Sequence, residues 1–281
     1  MRILLSLFLF ICCFSSNAQL LDPSVDWFGL NDFFNEEVIR DRAITQLDIK
    51  VTSKSDGKII MDSGEELHYA FNASGHLLSA KKRVPLYRGY DTASVDLRYD
   101  DSRRIIQKVE QYGPYHFEYR YQYTSDSTFN SLKLRPTKEG YDTLYYRLHQ
   151  LKYFNDLEIE RISNQNGIVF LTEKRKYNVI GNPLEAELEY VFSHHQRKIR
   201  YDYVGENLIQ MHLKTDYGQR MNSKKNFEYE NGILKEVKHY EKDQLTKRIT
   251  FTYAMGLPTA AIMRIVEDKE IKIFLFDYSF Y

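Results

Sequence analysis

The pattern of polar and apolar positions changes period once along this chain. Across Asn31 to Arg42 (NDFFNEEVIRDR), Phe34, Val38 and neighbouring apolar residues fall near helical spacing. Acidic residues crowd the early half and basic ones the end, as the helix dipole favours. With Asp22-Pro23-Ser24 as a start signal, the pattern predicts one short helix with Trp27 and Phe28 packed beside it. From Ala43 the period becomes two. Ala43, Thr45, Leu47, Ile49 and Val51 share one face, and Gln46, Asp48 and Lys50 take the other. Ser55-Asp56-Gly57 reads as a turn, and no further helical pattern follows.

Alternation then organises itself into a repeat. An aromatic–x–aromatic pair, a few residues rich in Asn, Asp, Ser and Gly, and an aliphatic run recur at Tyr69–Leu78 and Tyr177–Leu184. The same phrase returns at Tyr201–Ile209, Phe227–Leu234 and Phe251–Pro258. Taking the second aromatic as anchor gives Phe71, Tyr99, Tyr123, Tyr153, Tyr177, Tyr203, Tyr229, Tyr253 and Tyr278, spaced by about 25 residues. That period fits two strands plus two turns, hence an array of β-hairpins. The third and fourth units are the weakest, because TSDSTFNS and FNDLEI lack the turn glycine. Within units the faces differ: Leu184, Ala186, Leu188, Tyr190 and Phe192 oppose Glu185, Glu187 and Glu189. One face is dry and one is wet.

Isolated hairpins are marginal, so the units must pair into one antiparallel sheet that covers its apolar face. The expected fold is all-β, a repetitive hairpin meander forming one curled or elongated sheet over residues 43–281. A cap segment at 19–42 carries the helix.

The phrases YNVIGNPL and YDYVGENLI resemble the YD-repeat (Rhs-type) signature, a Tyr-Asp or Tyr-Asn before a short Gly turn and a Leu-containing strand. The likeness runs over roughly Leu67 to Ile262, with a longer period than in that family. It implies a curling β-sheet that wraps, displays or contacts other macromolecules, with repeats that are not themselves catalytic. It also implies an exported bacterial protein.

Composition narrows the setting. Arg2, the apolar run Ile3–Phe14 and small residues Ser16 and Ala18 form a signal peptide over 1–18, with cleavage expected before Gln19. Cys12 and Cys13 both lie inside it, so the exported chain has no disulfide and rests on burial alone. Lys and Arg number 39 against 39 Asp and Glu, which gives no electrostatic case for nucleic acid. The 23 Tyr and 17 Phe suit shallow, half-wet sheet surfaces.

The search for chemistry returns little. There is no GxSxG, P-loop or GxGxxG, and no cofactor is implied. No catalytic or metal-binding residue is expected. His194-His195 reads as a polar hairpin end rather than a ligand pair, and the Glu185, Glu187, Glu189 stripe as an ordinary wet face. The doublets Lys81-Lys82, Arg103-Arg104, Lys174-Arg175, Lys224-Lys225 and Lys247-Arg248 read as edge and turn charges that block sheet-to-sheet pairing. Asn72-Ala73-Ser74 matches a glycosylation sequon on a turn. Pro85-x-x-x-Gly89-Tyr90-Asp91-Thr92 returns as Pro136-x-x-x-Gly140-Tyr141-Asp142-Thr143, so Tyr90 and Tyr141 are the candidate surface-binding aromatics.

The functional expectation is an exported, non-catalytic β-repeat protein offering a binding or structural surface. Its partner is unknown; a cell-envelope protein or a glycan would suit, and nucleic acid would not. The alternative is an outer-membrane β-barrel, the only case in which membrane association is expected, and a third option is an enzyme of unidentified class. Function is expected on the surface the repeats build, or on the units that break the pattern between Thr124 and Ile168.

Overall fold

A computed structural model describes residues 36–55, 57, 59–216, 221–267 and 269–281. The expected signal peptide, Trp27, Phe28 and the first part of the expected helix lie outside them. The described helix, α1 (Glu36–Asp41), keeps the expected charge order, with Glu36 and Glu37 in its first turn and Arg40 in its last. Val38 and Ile39 are its buried face.

Eighteen strands follow. They are β1 (Ile44–Ser55), β2 (Met61–Phe71), β3 (Leu77–Pro85), β4 (Tyr90–Tyr99), β5 (Ile105–Tyr112) and β6 (Tyr115–Ser125). Next come β7 (Thr128–Thr137), β8 (Gly140–Phe154), β9 (Leu157–Ser163), β10 (Val169–Tyr177), β11 (Pro183–Tyr190) and β12 (His195–Val204). The last six are β13 (Asn207–Thr215), β14 (Met221–Glu230), β15 (Ile233–Glu241), β16 (Gln244–Ala254), β17 (Leu257–Ile265) and β18 (Glu270–Phe280). Each pairs antiparallel with the next, as in Leu47↔Tyr69, Tyr69↔Ala80 and Ala80↔Val95.

The open sheet expected from sequence is corrected here. β18 pairs with β1 over nearly its whole length, from Ile44↔Phe280 to Ser55↔Glu270, so the meander closes into an 18-stranded barrel. Closure satisfies the row of backbone donors and acceptors that an open edge would leave bare. Alternation reports which face is dry but carries no information on whether first and last strands meet.

Burial identifies the concave face. Leu47, Val51, Leu67, Tyr69, Phe251 and Phe274 are exposed by 1% or less. They belong to one apolar cluster that runs through β13–β18 and on through β1–β4, and that includes Val38 and Ile39 of α1. Residues of opposite parity, such as Lys50, Glu66 and His68, are exposed or half-buried. Side chains diverge on the convex side of a curved sheet and converge on the concave side. Near-complete burial across ten consecutive strands, with a six-residue helix as the one other described element, therefore marks the aromatic face as the inner one.

The repeat acquires a physical meaning in this frame. Every repeat-phrase turn joins an even strand to the following odd strand, so all of them sit on one rim. Asn231-Gly232 and Met255-Gly256 make two-residue loops with φ of 53°, 79° and 52°, 79°. These are the left-handed conformations of a type I′ hairpin turn, which glycine adopts without steric cost. A bulge follows at the same place in most units. Arg98↔Gln107 and Tyr99↔Ile105 leave Ile106 unopposed, as do Leu78, Leu184, Ile209, Lys235 and Thr259 in theirs. A bulge adds local twist and bend, and its repetition curves the sheet toward closure.

The anchor tyrosines tie consecutive units together. Tyr99 donates its hydroxyl to the Leu77 carbonyl at 2.9 Å, Tyr123 to Ile105 at 3.0 Å, Tyr253 to Leu234 at 2.7 Å and Tyr278 to Pro258 at 2.7 Å. Each bond runs from one anchor to the first or second residue of the preceding strand. Burial pushes the Tyr253 and Tyr278 hydroxyls well above their ordinary pKa. At the seam Tyr281 reaches the Phe71 carbonyl at 3.2 Å.

Gly75 belongs to the docking of α1. Its φ is +87°, and a Cβ there would lie 2.2 Å from the Glu36 carbonyl oxygen. The β2–β3 turn can approach the helix only without a side chain at that position.

Candidate functional site in the bore

The inner wall has two halves. Around β13–β18 and β1–β4 it is apolar; around β5–β10 the same parity turns polar, and β11 returns to apolar residues with Ala186 and Leu188. In β5 the inward residues are Lys108 and Glu110, paired with Tyr119 and Phe117 of β6. Lys108 Nζ lies 2.8 Å from Glu110, and the Tyr119 hydroxyl donates to the same carboxylate at 2.9 Å. Lys133 of β7 sits 4.0 Å from the centre of the Phe117 ring, and the Arg147 guanidinium 4.0 Å over Tyr145. Burial, then the bond to Glu110, lifts the Tyr119 hydroxyl well above its ordinary range. Burial pushes Tyr121 up to about 12.

Further round, Arg175 of β10 binds three carboxylates: Glu158 at 2.6 Å, Glu173 at 2.8 Å and Glu160 at 3.7 Å. Burial alone would lower its pKa, but Glu173, Glu158 and Glu160 more than compensate. Four cations (Lys108, Lys133, Arg147, Arg175) thus face four anions (Glu110, Glu158, Glu160, Glu173) along this wall. Lys108 and Arg175 are held by carboxylates, and Lys133 and Arg147 lie over aromatic rings.

Between them runs a three-residue relay. Ser131 Oγ lies 2.8 Å from His149 Nε2, and His149 Nδ1 lies 2.7 Å from Glu160 Oε1. Ser131 is 5% exposed and His149 is 9% exposed. A Glu160 carboxylate accepts from Nδ1–H, and in the neutral imidazole this leaves Nε2 to accept the Ser131 hydroxyl proton. Phe129 stacks on the imidazole at 4.2 Å with a 7° interplanar angle, fixing the ring. β7, β8 and β9 present these groups side by side through the pairs Phe129↔His149 and His149↔Ile162.

A smaller ion cluster occupies the apolar half. Glu65 of β2 is buried and held by Lys82 of β3 at 3.0 Å and by Lys272 of β18, across β1, at 3.0 Å. Burial raises the Glu65 pKa, but the two lysines outweigh it and hold the carboxyl below its usual range.

The basic doublets need correction. A closed barrel has no free edge to protect, and adjacent strand residues point to opposite sides. Lys82 and Arg175 enter the bore, while Lys81 and Lys174 stay outside. Arg248 faces outward onto Glu236.

Tyr90 and Tyr141 stand on the rim opposite the repeat-phrase turns, each across from its motif proline in the pairs Pro85↔Tyr90 and Pro136↔Tyr141. They are 52% and 51% exposed. Arg83 lies 3.4 Å over the Tyr90 ring and Arg120 lies 5.2 Å over that of Tyr141. Strands β5, β6 and β7 separate them, so the barrel does not bring them together. His194 occupies a turn with φ 53°, and His195 lies 3.6 Å from Asp216. The Glu185, Glu187, Glu189 stripe faces outward; Glu185 and Glu187 stand in register with Lys176 and Lys174 on one side and Arg200 and Lys198 on the other, and Glu189 with Thr172 and Gln196. A cavity of about 590 Å³ lies apart from the relay, lined by Gln196, Lys198, Lys214, Thr215, Asp216 and Asn222.

Sequence reasoning passed over Ser131, His149, Glu160 and the inward charges. The signal was their parity: Arg147 and His149 lie two and four positions after Tyr145, and Arg175 two before Tyr177. Polar residues in register with the aromatics were bound for the inner face.

No family model matches the chain, and no curated protein matches it. Among solved structures it is similar to a porin-like protein from Bacteroides uniformis, at 10% identity and a TM-score of 0.39, covering 84% of this chain and 98% of that one. A porin-like protein from Bacteroides vulgatus gives the same identity and coverage with a TM-score of 0.34. A LolA superfamily protein from Nitrosomonas europaea gives 10% identity and 0.24, with 84% of each chain covered. TM-scores below 0.5 do not establish a common fold, and the barrel rests on its own strand register.

Proposed function

We propose that the protein is an exported, closed β-barrel of the bacterial cell envelope that works through its bore, where it holds an amphiphilic ligand. The observation that carries this is the divided inner wall: an apolar arc through β13–β18 and β1–β4 faces a charge-balanced arc through β5–β10. An amphiphile entering the bore would part the side chains of the apolar arc, which pack against one another, and set its polar group on the charged arc. Closure replaces the expected open binding surface with an enclosed one. Kinship with YD-repeat proteins forms part of the proposal, supported by the tyrosine–carbonyl bonds that join successive units.

A second reading, the outer-membrane barrel, has one observation in its favour: an even number of antiparallel strands closed into a meander with no edge. The outward side chains favour water. Glu185 and Glu187 meet Lys198 and Arg200 there, and Glu236 meets Lys238 and Arg248. A lipid-facing barrel needs an apolar outer band about 25 Å tall.

The two separate experimentally. Full-length protein exported in a Gram-negative host is extracted with alkaline carbonate and, in parallel, with detergent, and the purified chain is examined by native mass spectrometry. Release without detergent, together with a co-purifying amphiphile, is the expected result. A strict need for detergent and heat-shifted gel migration would place the barrel in the membrane instead.

A further inference from the structure

We infer that Ser131, His149 and Glu160 form an acyl-transfer site inside the barrel, and that the ligand class it takes is a carboxylic ester of an amphiphile. This rests on the bore as the binding site and names its chemistry. A serine hydroxyl is a weak nucleophile until a base removes its proton, and the base must be held in the right tautomer by a third group. Both requirements are met here at 2.8 Å and 2.7 Å. The register adds a cation: Arg147 stands directly opposite Ser131 on β8, and Tyr121 opposite it on β6. Arg147 is placed to meet negative charge developing on an acyl oxygen beside Ser131.

The chemistry balances within these groups and water. Ser131 Oγ bonds to the ester carbonyl carbon while its proton moves to His149 Nε2. The carbon–oxygen bond to the alcohol then breaks, and Nε2 returns the proton to the departing alkoxide. Water gives a proton to Nε2 as its oxygen bonds to the acyl carbon, and the Ser131 ester bond breaks. Ser131 recovers the proton and the carboxylic acid is released. Ser131 and His149 are the catalytic residues; Glu160 positions His149, and Arg175 stands 3.7 Å from Glu160 on the next strand. The site lies in the irregular third and fourth units, where the repeat gives up its turn glycines.

A fluorophosphonate probe and the p-nitrophenyl ester of a medium-chain fatty acid test this on the exported full chain. We expect covalent labelling mapped to Ser131 and hydrolysis that falls about 10³–10⁴-fold in Ser131→Ala and in His149→Asn. Circular dichroism shows whether those variants fold. Ser131→Cys keeps the shape and, on the inference, becomes alkylated by iodoacetamide faster in the presence of His149 than in its absence. Glu160→Gln should lower the rate and change its pH profile, which a merely structural role would not do. Folded wild-type protein that binds the ester by native mass spectrometry but is neither labelled nor active overturns the inference while leaving the bore as a binding site. Labelling at Ser131 without retained amphiphile would support the site and sink the carrier reading.

Discussion

The ten strands of the apolar arc and the three strands β7–β9 are built by the same meander but constrained differently. In the regular arc the units share one solution, a left-handed turn with a bulge after it, and Tyr99, Tyr253 and Tyr278 add a hydroxyl bond to the preceding unit's carbonyl. In the fourth unit the pattern loosens, although Asn155 keeps the left-handed turn. The β8–β9 hairpin carries no register shift, with Tyr153↔Glu158 followed directly by Phe154↔Leu157, and Tyr153 is 59% exposed. The inner face there exchanges hydrocarbon for Ser131, His149 and Glu160. Repetition specifies packing; relaxing it frees positions for polar chemistry.

The contrast breaks most sharply at Phe251. Its ring is fully buried in the regular arc, flanked in register by Ala261. Phe251→Ala should cost about 3–5 kcal/mol through lost burial and the cavity left behind. For a domain of this size that lowers Tm by about 10 °C, read by calorimetry. Ser131→Ala removes one buried hydroxyl and should cost about 1–2 kcal/mol. A larger loss from Ser131→Ala than from Phe251→Ala would invert the assignment of core and site.

How much of this was legible in the sequence divides along the same line. Parity in LEAELEYVF and IRYDY announced a dry and a wet face, and the structure buries Ala186 and packs Ile199, Tyr201 and Tyr203 on the dry one. The turns were legible because glycine and asparagine mark left-handed backbone locally. Closure was not, since the pairing of Ile49 with Phe276 spans the whole sheet sequence and leaves no local trace. The relay was missed for a related reason. Ser131, His149 and Glu160 are 18 and 11 residues apart, and only the cross-strand register makes them neighbours.

The ion cluster at Glu65 sharpens the comparison through pH. Its folded pKa is depressed, so the stability it contributes is present above the ordinary carboxylate value near 4.3 and is lost as pH falls through the lower folded value. Glu65→Gln should cost about 2 kcal/mol at neutral pH, because two partly buried lysines lose their counterion. It should also flatten the acid limb of Tm between about pH 4.5 and 2 relative to wild type. A parallel acid limb in both proteins would mean that other carboxylates dominate.

The anchor hydroxyls come next in size. Tyr253→Phe and Tyr278→Phe each leave a carbonyl without its donor and should cost about 1 kcal/mol. Tyr153→Phe, in the irregular unit, should cost less. Denaturant melts with unchanged m-values would read these losses as changes in stability alone.

The smallest effect belongs to the outer ladder. Lys198 pairs with Glu185 across β11 and β12, with side chains 50% and 35% exposed. Solvent screens such a pair, so Lys198→Ala should change stability by no more than about 0.5 kcal/mol, and the change should vanish in 1 M salt. That near-neutrality separates the two placements of the barrel. In water the pair is one of many weak surface contacts on a charged outer face. In hydrocarbon the same deletion would strand Glu185 without its partner, and the loss would be several kcal/mol and insensitive to salt. The measured size and salt dependence of this one substitution therefore report which medium the outer face meets.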